Sequence, residues 1–308
     1  MMKKQSSRKL KGRKKRWVGR AFLIALATIA IYLVILFPTV TSTLDQIHEP
    51  AAREVSVKRY EKIVLEKKDP ISILLLGVDE REGDRGRSDT MIVLTLNPEE
   101  KSIKMVSIPR DTYTKIVGYG IMDKINHAYA FGGMEMSMES VENLLDIPID
   151  YTIQVNMEGF EDIVDAVGGV EVNNPLAFDD FEVGKQNLNG EQALSYVRMR
   201  KQDPNGDFGR QDRQKQVIES ILDKTASANT LFSYKKILSA LGENVKTSIS
   251  ISEMREVQKN YRDTIETIDQ IYFEEGTGET INAIWYYKMN SEELEKVQKT
   301  LKEHLEIK

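Results

Sequence analysis

The chain reads ISILLLGV at residues 71–78, TMIVLTL at 90–96 and SIKMVSI at 102–108, and these three apolar segments determine its architecture. Each segment is short, rich in β-branched residues and bounded by polar turn residues, which is the pattern of a strand. Their almost continuous apolar character is typical of strands that are covered on both faces. The short connections favour an antiparallel arrangement, so the sequence predicts three neighbouring strands at the centre of a sheet.

Beyond residue 108 the apolar spacing moves towards the helical period, and helical and strand patterns alternate. The predicted helices cover 135–145, 158–167, 191–197, 207–227, 252–264 and 291–305, and the predicted strands cover 151–156, 168–173, 268–274 and 281–287. Asn189 with Gln192, and Asn290 with Glu293, have the spacing of helix N-caps. The sequence therefore predicts an α/β (α+β) fold, a single domain with a central mixed β-sheet flanked by helices.

The N-terminal region carries the pattern of a membrane anchor. Residues 21–37, AFLIALATIAIYLVILF, contain no charge, and their apolar neighbours extend the run to 17–40, about the ~20 residues that a bilayer core requires. The run is longer than the apolar core of a cleaved signal peptide, and no small-x-small cleavage site follows it. We therefore expect one transmembrane signal-anchor helix over 17–40.

The charges around this run predict its orientation. Ten basic residues and no acidic residue lie within the first 20 positions, so the basic tail at 1–16 is expected in the cytoplasm. The polar stalk at 41–69 and the domain at 70–308 then lie outside, as in a single-pass type II protein of the cell membrane. A nucleic-acid-binding role for the tail is disfavoured by the apolar run that follows it.

The composition excludes several classes of function. The formal net charge is −5 in spite of the basic tail, so the domain is acidic, unlike a protein that binds duplex nucleic acid. There is no cysteine, and the GxxxxGK[ST], HExxH and GxSxG motifs are absent. The three histidines are scattered along the chain, and His127 is interpreted as a hydrogen-bonded structural residue rather than a base.

Three charged residues flank the central strands. Asp79 follows the first strand, Asp89 opens the second and Arg110 follows the third, so an antiparallel arrangement brings all three to one sheet edge. Two carboxylates with few other ligands suit Mg²⁺, which retains water and takes substrate phosphate as a further ligand. A solvated loop over residues 80–89 is the alternative interpretation.

A second cluster lies at residues 196–222, YVRMRKQDPNGDFGRQDRQKQVIESIL. On a helix, Arg210 and Gln214 share a face with Val217 and Ile221, so an apolar face begins with a guanidinium and an amide. A helix gains little from this arrangement unless an anion lies opposite the arginine.

Arg198 and Arg200 precede this helix and point the same way if the chain is extended there. Together they could bind a pyrophosphate through paired hydrogen bonds. The alternative is that the arginines of the cluster form ion pairs with its own acids, Asp203, Asp207 and Asp212.

Five segments together resemble the LytR-CpsA-Psr family, and the resemblance extends from about residue 69 to the C-terminus. They are LLLGVDEREGDRGRSDTMIVLTLNP (74–98), MVSIPRDTYTKI (105–116), MDKINHAYAFGG (122–133), ALSYVRMRKQDPNGDFGRQDRQKQVI (193–218) and ENVKTSIS (243–250). The resemblance implies a Mg²⁺-dependent phosphotransferase of the cell wall in Gram-positive bacteria. Its donor would be an undecaprenyl-pyrophosphate-linked glycopolymer such as a teichoic acid. Its acceptor would be a peptidoglycan hydroxyl on N-acetylmuramic acid.

The resemblance also implies roles for particular residues. Asp79 and Asp89 match the metal ligands. The pyrophosphate-binding residues are matched by Arg87, Arg110, Arg198, Arg200, Arg210 and Gln214, and the catalytic residues by Arg87, Arg110, Asp207 and Arg210. The general base stays open among Asp207, Arg87 and a metal-bound water. Two other functions also stay open, namely a membrane-bound regulator or attenuator and a polyisoprenyl pyrophosphate-binding carrier or pyrophosphatase.

Overall fold

The structure is a computed structural model, and it describes residues 48–50, 53, 55–79, 86–226 and 244–307. The predicted basic tail and anchor, residues 1–40, lie outside these ranges, as does the first part of the stalk. Among the described residues, no helix combines the length and the apolar character that crossing a bilayer requires.

The described chain forms twelve strands and six α-helices. The strands are β1 (Ile71–Val78), β2 (Ser88–Asn97), β3 (Ser102–Ser107), β4 (Tyr113–Ile116), β5 (Ile121–Lys124), β6 (Tyr151–Asn156), β7 (Val170–Asn174), β8 (Gly184–Leu188), β9 (Val245–Thr247), β10 (Thr267–Ile271), β11 (Thr277–Ile281) and β12 (Ile284–Lys288). The helices are α1 (His127–Leu145), α2 (Met157–Ala166), α3 (Gly190–Arg198), α4 (Asp207–Ala226), α5 (Ile251–Asn260) and α6 (Ser291–His304).

A six-stranded mixed sheet lies at the centre of the domain, in the order β10-β3-β2-β1-β6-β9. The three apolar segments form its middle, because β2 pairs antiparallel with both β1 and β3. The sheet is mixed because β6 runs parallel to β1 and β10 runs parallel to β3. The predicted mixed sheet with an antiparallel centre is therefore confirmed.

Both faces of the sheet are covered, because alternate strand residues pack into different apolar clusters. Leu74 and Leu76 face the helices α1 and α6, whereas Ile71 and Ile73 face α4 and α5. A third cluster joins α2, α3 and the hairpin β7–β8 to α4. The sheet therefore holds α4, with its basic first turn, close to the central strands.

The N-caps predicted from sequence are present. Asn189 forms a capping box with Gln192, and the Asn290 side chain accepts hydrogen bonds from the N–H groups of Glu292 and Glu293. These caps explain why α3 and α6 begin within one residue of their predicted starts.

The prediction of one strand over residues 281–287 is wrong. Asn282 and Ala283 have φ values of 50° and 65°, so the chain turns there and forms the hairpin β11–β12. The segment at 267–271 instead joins the main sheet beside β3. The apolar pattern continues through the turn, so the sequence did not reveal the hairpin. This hairpin borders the candidate site described below.

His304 is buried where α6 packs against β2 and β3. Its Nδ1 lies 2.7 Å from the Thr95 hydroxyl, and its Nε2 lies 2.9 Å from the Ser102 hydroxyl. Burial, assisted by the nearby positive charge of Lys104, lowers the pKa of His304 to about 4. The imidazole is therefore neutral in the folded protein at a pH where it is protonated in the unfolded chain.

We expect His304 to make the protein less stable in mild acid. Between about pH 6.5 and pH 4 the unfolded chain binds a proton that the folded imidazole does not, so the free energy of unfolding falls as the pH falls. The contribution of this residue is about 3 kcal/mol. Urea unfolding of the detergent-solubilised protein at a series of pH values measures it. The profile of His304→Gln should be flatter, and parallel profiles for the two proteins would contradict the assignment.

Candidate functional site

Asp79 and Asp89 lie together at one edge of the central sheet. The last paired residues of β1 and β2 are Val78 and Ser88, and a register shift precedes them. Beyond this pair, the Asp79 N–H donates a hydrogen bond of 3.2 Å to the carbonyl of Arg87. The antiparallel pairing of β1 and β2 thus brings the two carboxylates to neighbouring positions, as predicted from their places in the sequence.

Arg110 reaches the same edge from the end of β3. The Ile108 N–H donates to the Met91 carbonyl at 2.9 Å, which extends the β2–β3 pairing up to this point. The Arg110 Nη1 lies 2.9 Å from Asp89 Oδ2, and its Nε lies 3.6 Å from Asp111 Oδ2. An ion pair therefore joins two of the three residues that the sequence placed at this edge.

The first turn of α4 supplies the second half of the site. The Arg210 Nη2 lies 2.6 Å from Asp207 Oδ1, and the Gln211 amide donates to Asp207 Oδ2 at 3.2 Å. The Arg210 Nε and the Gln211 Oε1 are buried and have no hydrogen-bond partner within the described chain. Buried polar atoms are almost always hydrogen-bonded, so these two unpartnered atoms distinguish the first turn of α4 from an ordinary helix start.

The sheet edge and the start of α4 line one cavity of about 260 Å³. Its cationic groups are Arg110, Arg200 and Arg210, its acidic groups are Asp111, Asp207 and Glu274, and its aromatic groups are Phe208, Phe273, Trp285 and Tyr287. Arg110 thus lines the same cavity as Arg200 and Arg210, which stand about 90 and 100 residues further along the chain. This arrangement suits an anion with several oxygens, such as a pyrophosphate.

The electrostatics of Arg210 reflect this convergence. Burial lowers the pKa of Arg210, the positive charges of Arg200 and Arg110 lower it further, and the negative charges of Asp207 and Asp89 oppose the change. The repulsion among the arginines stores unfavourable energy that a bound anion would relieve. The guanidinium is still protonated at neutral pH, because the ordinary pKa of arginine is so high.

Five of the predicted site residues do not line this cavity within the described chain, namely Asp79, Asp89, Arg87, Arg198 and Gln214. Arg87 is exposed beside Asp79, and Gln214 lies one helical turn beyond Arg210. Arg198 is exposed at the end of α3, and the buried Met199 separates it from the exposed Arg200. Of the two, Arg200 lines the cavity and Arg198 does not, so the predicted common orientation of their side chains stays a prediction. The binding roles of Arg87, Arg198 and Gln214 stay predictions.

Arg213 is a buried arginine that the sequence analysis missed. It is 1% exposed, and it donates to the carbonyls of Tyr196 at 3.1 Å and Met199 at 2.6 Å. Its Nη1 also lies 2.5 Å from Asp203 Oδ2. These bonds connect α4 to the end of α3 and to the intervening loop, so they fix the segment that carries Arg200. The signal was present, because Arg213 stands four residues before the buried Val217.

The alternative interpretation of the basic cluster as internal ion pairs is partly correct. Asp207 pairs with Arg210, and Asp203 pairs with an arginine of the cluster, although with Arg213. Asp212 instead accepts a hydrogen bond from the hydroxyl of Tyr272. Ion pairs thus occupy part of the cluster, while the Nε of Arg210 has no hydrogen-bond partner within the described chain.

The oxygen atoms at the sheet edge fit a cation such as Mg²⁺. In the parts of the chain that the structure describes, no group of three or more histidine or acidic side chains is arranged to hold a metal ion. Asp79 and Asp89 lie at the paired ends of β1 and β2. The Asn126 side-chain oxygen is buried without a partner within the described chain, and its amide nitrogen lies 3.5 Å from Asp89 Oδ1. This donor set suits an ion that takes its other ligands from water and phosphate.

His127 has the structural role that the sequence suggested. Its Nδ1 lies 2.8 Å from Asp123 Oδ2, and the Tyr286 hydroxyl donates to the other oxygen of the same carboxylate at 3.3 Å. The histidine thus belongs to a network that holds the β4–β5 hairpin against α1 and β12. His127 is absent from the lining of the cavity, as far as the structure describes the chain.

The mixed α/β domain thus carries, beside a cavity, a cluster of guanidinium and carboxylate groups whose chemistry suits a phosphate group. The sequence profile of the LytR_cpsA_psr family matches residues 34–303, and the chain belongs to this family.

Its similarity to curated relatives covers most of the chain. It is 48% identical over 295 residues to the protein of Bacillus cereus named polyisoprenyl-teichoic acid--peptidoglycan teichoic acid transferase TagU. The aligned region covers 94% of this chain and 97% of that relative. The protein of the same name from Bacillus subtilis is 47% identical over 279 residues, covering 89% of this chain and 90% of the relative.

Solved structures agree with the described fold. The crystal structure of Bacillus subtilis TagU is 46% identical with a TM-score of 0.63, covering 78% of this chain and 99% of that one. The structure of TagT bound to LIIa-WTA is 34% identical with a TM-score of 0.73, covering 84% of this chain and 100% of that one.

Proposed function

We propose that this protein is a transferase of cell-wall assembly that moves a teichoic acid or a similar anionic glycopolymer. The donor is the polymer linked to undecaprenyl pyrophosphate, and the acceptor is a peptidoglycan hydroxyl on N-acetylmuramic acid. The observation that carries the proposal is the convergence of Arg110, Arg200 and Arg210 on one cavity. The names of the relatives in Bacillus support the same reaction.

The arginines supply the main requirements of phosphoryl transfer, which are positioning and neutralisation of charge. The acceptor oxygen forms a new P–O bond as its proton passes to a base, and the bond to the polyisoprenyl phosphate breaks, so negative charge grows on the oxygens of the leaving phosphate. Arg110 and Arg210 are placed to stabilise that charge in a partly buried site. Asp207 engages both of its oxygens with Arg210 and Gln211, and we assign it the role of orienting that guanidinium.

Reconstitution tests the proposal directly. The detergent-solubilised full chain is incubated with a synthetic lipid-linked teichoic acid precursor and peptidoglycan fragments. Covalent attachment of the polymer to the fragments is the expected result. Release of free polymer with no attachment would instead assign a pyrophosphatase, since water would have replaced the sugar hydroxyl.

We propose that Asp79 and Asp89 hold Mg²⁺, which would add positive charge to the diphosphate of the donor. Replacing both residues with alanine is expected to remove most of the activity and its dependence on Mg²⁺. The reason is that each substitution removes a carboxylate that would bind the ion. Transfer is measured over a Mg²⁺ series, and Mg²⁺-dependent protection of the protein against heat unfolding gives a second readout.

Glu266→Ala with Asp269→Ala is the matched control, because it removes the same charge from exposed carboxylates. Undiminished Mg²⁺ dependence in the Asp79→Ala/Asp89→Ala protein would show that the metal assignment is wrong.

The proposed orientation places the catalytic domain outside the cell, anchored by the run at 17–40. The chain has no cysteine, and Val57 is 84% exposed, so Val57→Cys creates a single reporter thiol. A membrane-impermeant maleimide should label it in intact cells, and labelling that requires lysis would reverse the orientation.

A further inference from the structure

The hairpin β11–β12 forms one wall of the arginine cavity. The Tyr287 N–H donates to the Asp111 carbonyl at 2.9 Å, and Thr112 forms a parallel bridge with Tyr287. The hairpin is therefore fixed by backbone hydrogen bonds to the residues that directly follow Arg110. The strand β12 is therefore held beside Arg110.

Two glycines allow two aromatic rings to lie flat against this hairpin. A Cβ atom on Gly278 would stand 2.6 Å from Trp285 Nε1, and one on Gly276 would stand 2.1 Å from Tyr287 Cζ. The rings therefore occupy space that any other residue would fill. Trp285 and Tyr287 are two apart on β12, so they share one face, and both line the cavity.

The two rings differ in how far they are open to a ligand. The Tyr287 hydroxyl donates to the Phe273 carbonyl at 3.0 Å, which fixes that ring. Trp285 is 49% exposed, so half of a large apolar surface meets solvent beside a cavity lined by arginines. A flat aromatic surface next to clustered cations matches a ligand in which an apolar ring face is joined to a phosphate.

A sugar phosphate has this combination. One face of a pyranose ring presents C–H groups, which are attracted to the negative face of an indole, while its phosphate carries the charge that the arginines bind. A nucleobase would also stack, but a glycopolymer donor and a peptidoglycan acceptor present only sugar rings at the reacting phosphate.

We propose that Trp285, positioned by Gly278, binds the face of the sugar ring that adjoins the phosphate at Arg110, Arg200 and Arg210. The inference rests on the proposed function and adds to it a binding site for the saccharide. The ring belongs either to the donor glycan or to the peptidoglycan acceptor, which share this chemistry.

Fluorescence provides the direct test of binding. The chain contains two tryptophans, Trp17 and Trp285, so Trp17→Phe makes Trp285 the only indole emitter. A short-chain, water-soluble analogue of the pyrophosphate-linked disaccharide and a peptidoglycan disaccharide are titrated separately, with inorganic pyrophosphate as the comparison. A saturable change in emission with a saccharide, absent with pyrophosphate alone, supports the proposal. Equal changes with pyrophosphate alone would overturn it.

Kinetics identify the source of the ring. Trp285→Ala is expected to raise the KM of one substrate about tenfold with little change in kcat, because it removes stacking but no charge. Trp285→Phe should restore most of the loss, and Gly278→Ala should reproduce part of it by displacing the indole. A raised KM for the lipid-linked precursor indicates the donor ring, and a raised KM for peptidoglycan fragments indicates the acceptor ring.

Ile284→Ala is the matched control, since Ile284 is 45% exposed on the opposite face of the same strand. Unchanged KM values for both substrates in Trp285→Ala, beside normal transfer by the unaltered protein, would overturn the saccharide site and leave the proposed function standing. No transfer by the unaltered protein, together with a saccharide-dependent change in Trp285 emission, would reject the function and retain the site. Loss of binding to anionic lipid vesicles with intact saccharide binding would assign Trp285 to a membrane contact instead.

Discussion

Arg210→Ala is expected to reduce polymer transfer about a thousandfold while the protein stays folded. Arg210 lines the cavity, and its Nε is buried without a hydrogen-bond partner within the described chain, so its removal is expected to deprive the donor phosphate of a charged hydrogen-bond donor. The fold should tolerate the change, because burial and the charges of Arg200 and Arg110 both disfavour the charged form of Arg210 in the free protein. Arg110→Ala should have a similar effect on transfer, since Arg110 lines the same cavity.

The measurement is attachment of polymer to peptidoglycan fragments, with thermal unfolding recorded in parallel. Lys215→Ala is the matched control, because Lys215 is a cation on the same helix whose partner, Glu219, lies on the surface 3.5 Å away. That variant should transfer polymer at the normal rate. Normal transfer by both Arg210→Ala and Arg110→Ala would favour the regulator or attenuator over the transferase.

The centre of the fold could be predicted because its information is local. The segments at β1, β2 and β3 are apolar, β-branched and separated by short turns, so their pairing follows from chain connectivity alone. The same connectivity placed Asp79, Asp89 and Arg110 at one edge. The strand β10 was found, but its place beside β3 depends on packing between residues more than 160 positions apart, which periodicity does not encode.

The cavity itself could be predicted only in part. A helix face beginning with Arg210 indicated an anion site, and its meeting with Arg110 follows from the fold rather than from any spacing in the sequence. Trp285 and Tyr287 were assigned to a strand without a role, because the turn at Asn282 and the docking of β12 on the Arg110 loop are tertiary features.

The assignment of the helix face was incomplete for a physical reason. Arg213 lies one turn and Arg210 two turns before the buried Val217 of α4, and the sequence does not show which of them pairs with Asp203. Gly209 decides this, since a Cβ at that position would stand 1.9 Å from Asp203 Oδ2. The glycine thus admits the Asp203 carboxylate to the helix, where Arg213 binds it, and leaves Arg210 to the cavity.

Arg213→Met is expected to lower the free energy of unfolding by about 3–5 kcal/mol, because it removes one partner of a buried ion pair. Burial alone would raise the pKa of Asp203, but the hydrogen bonds from Arg213 and from the Asn205 N–H, together with the positive charge of Arg213, hold that pKa below its usual value. Without the guanidinium, the Asp203 carboxylate and two backbone carbonyls lose their donors. Urea unfolding measures the loss.

The double variant Asp203→Asn/Arg213→Met removes both charges of the pair, so it should recover part of the lost stability. Additive losses of stability would show that the two residues act independently. Arg210→Ala should show the opposite combination, with transfer lost and stability retained, so comparing the two variants separates the arginine that binds substrate from the arginine that holds the fold.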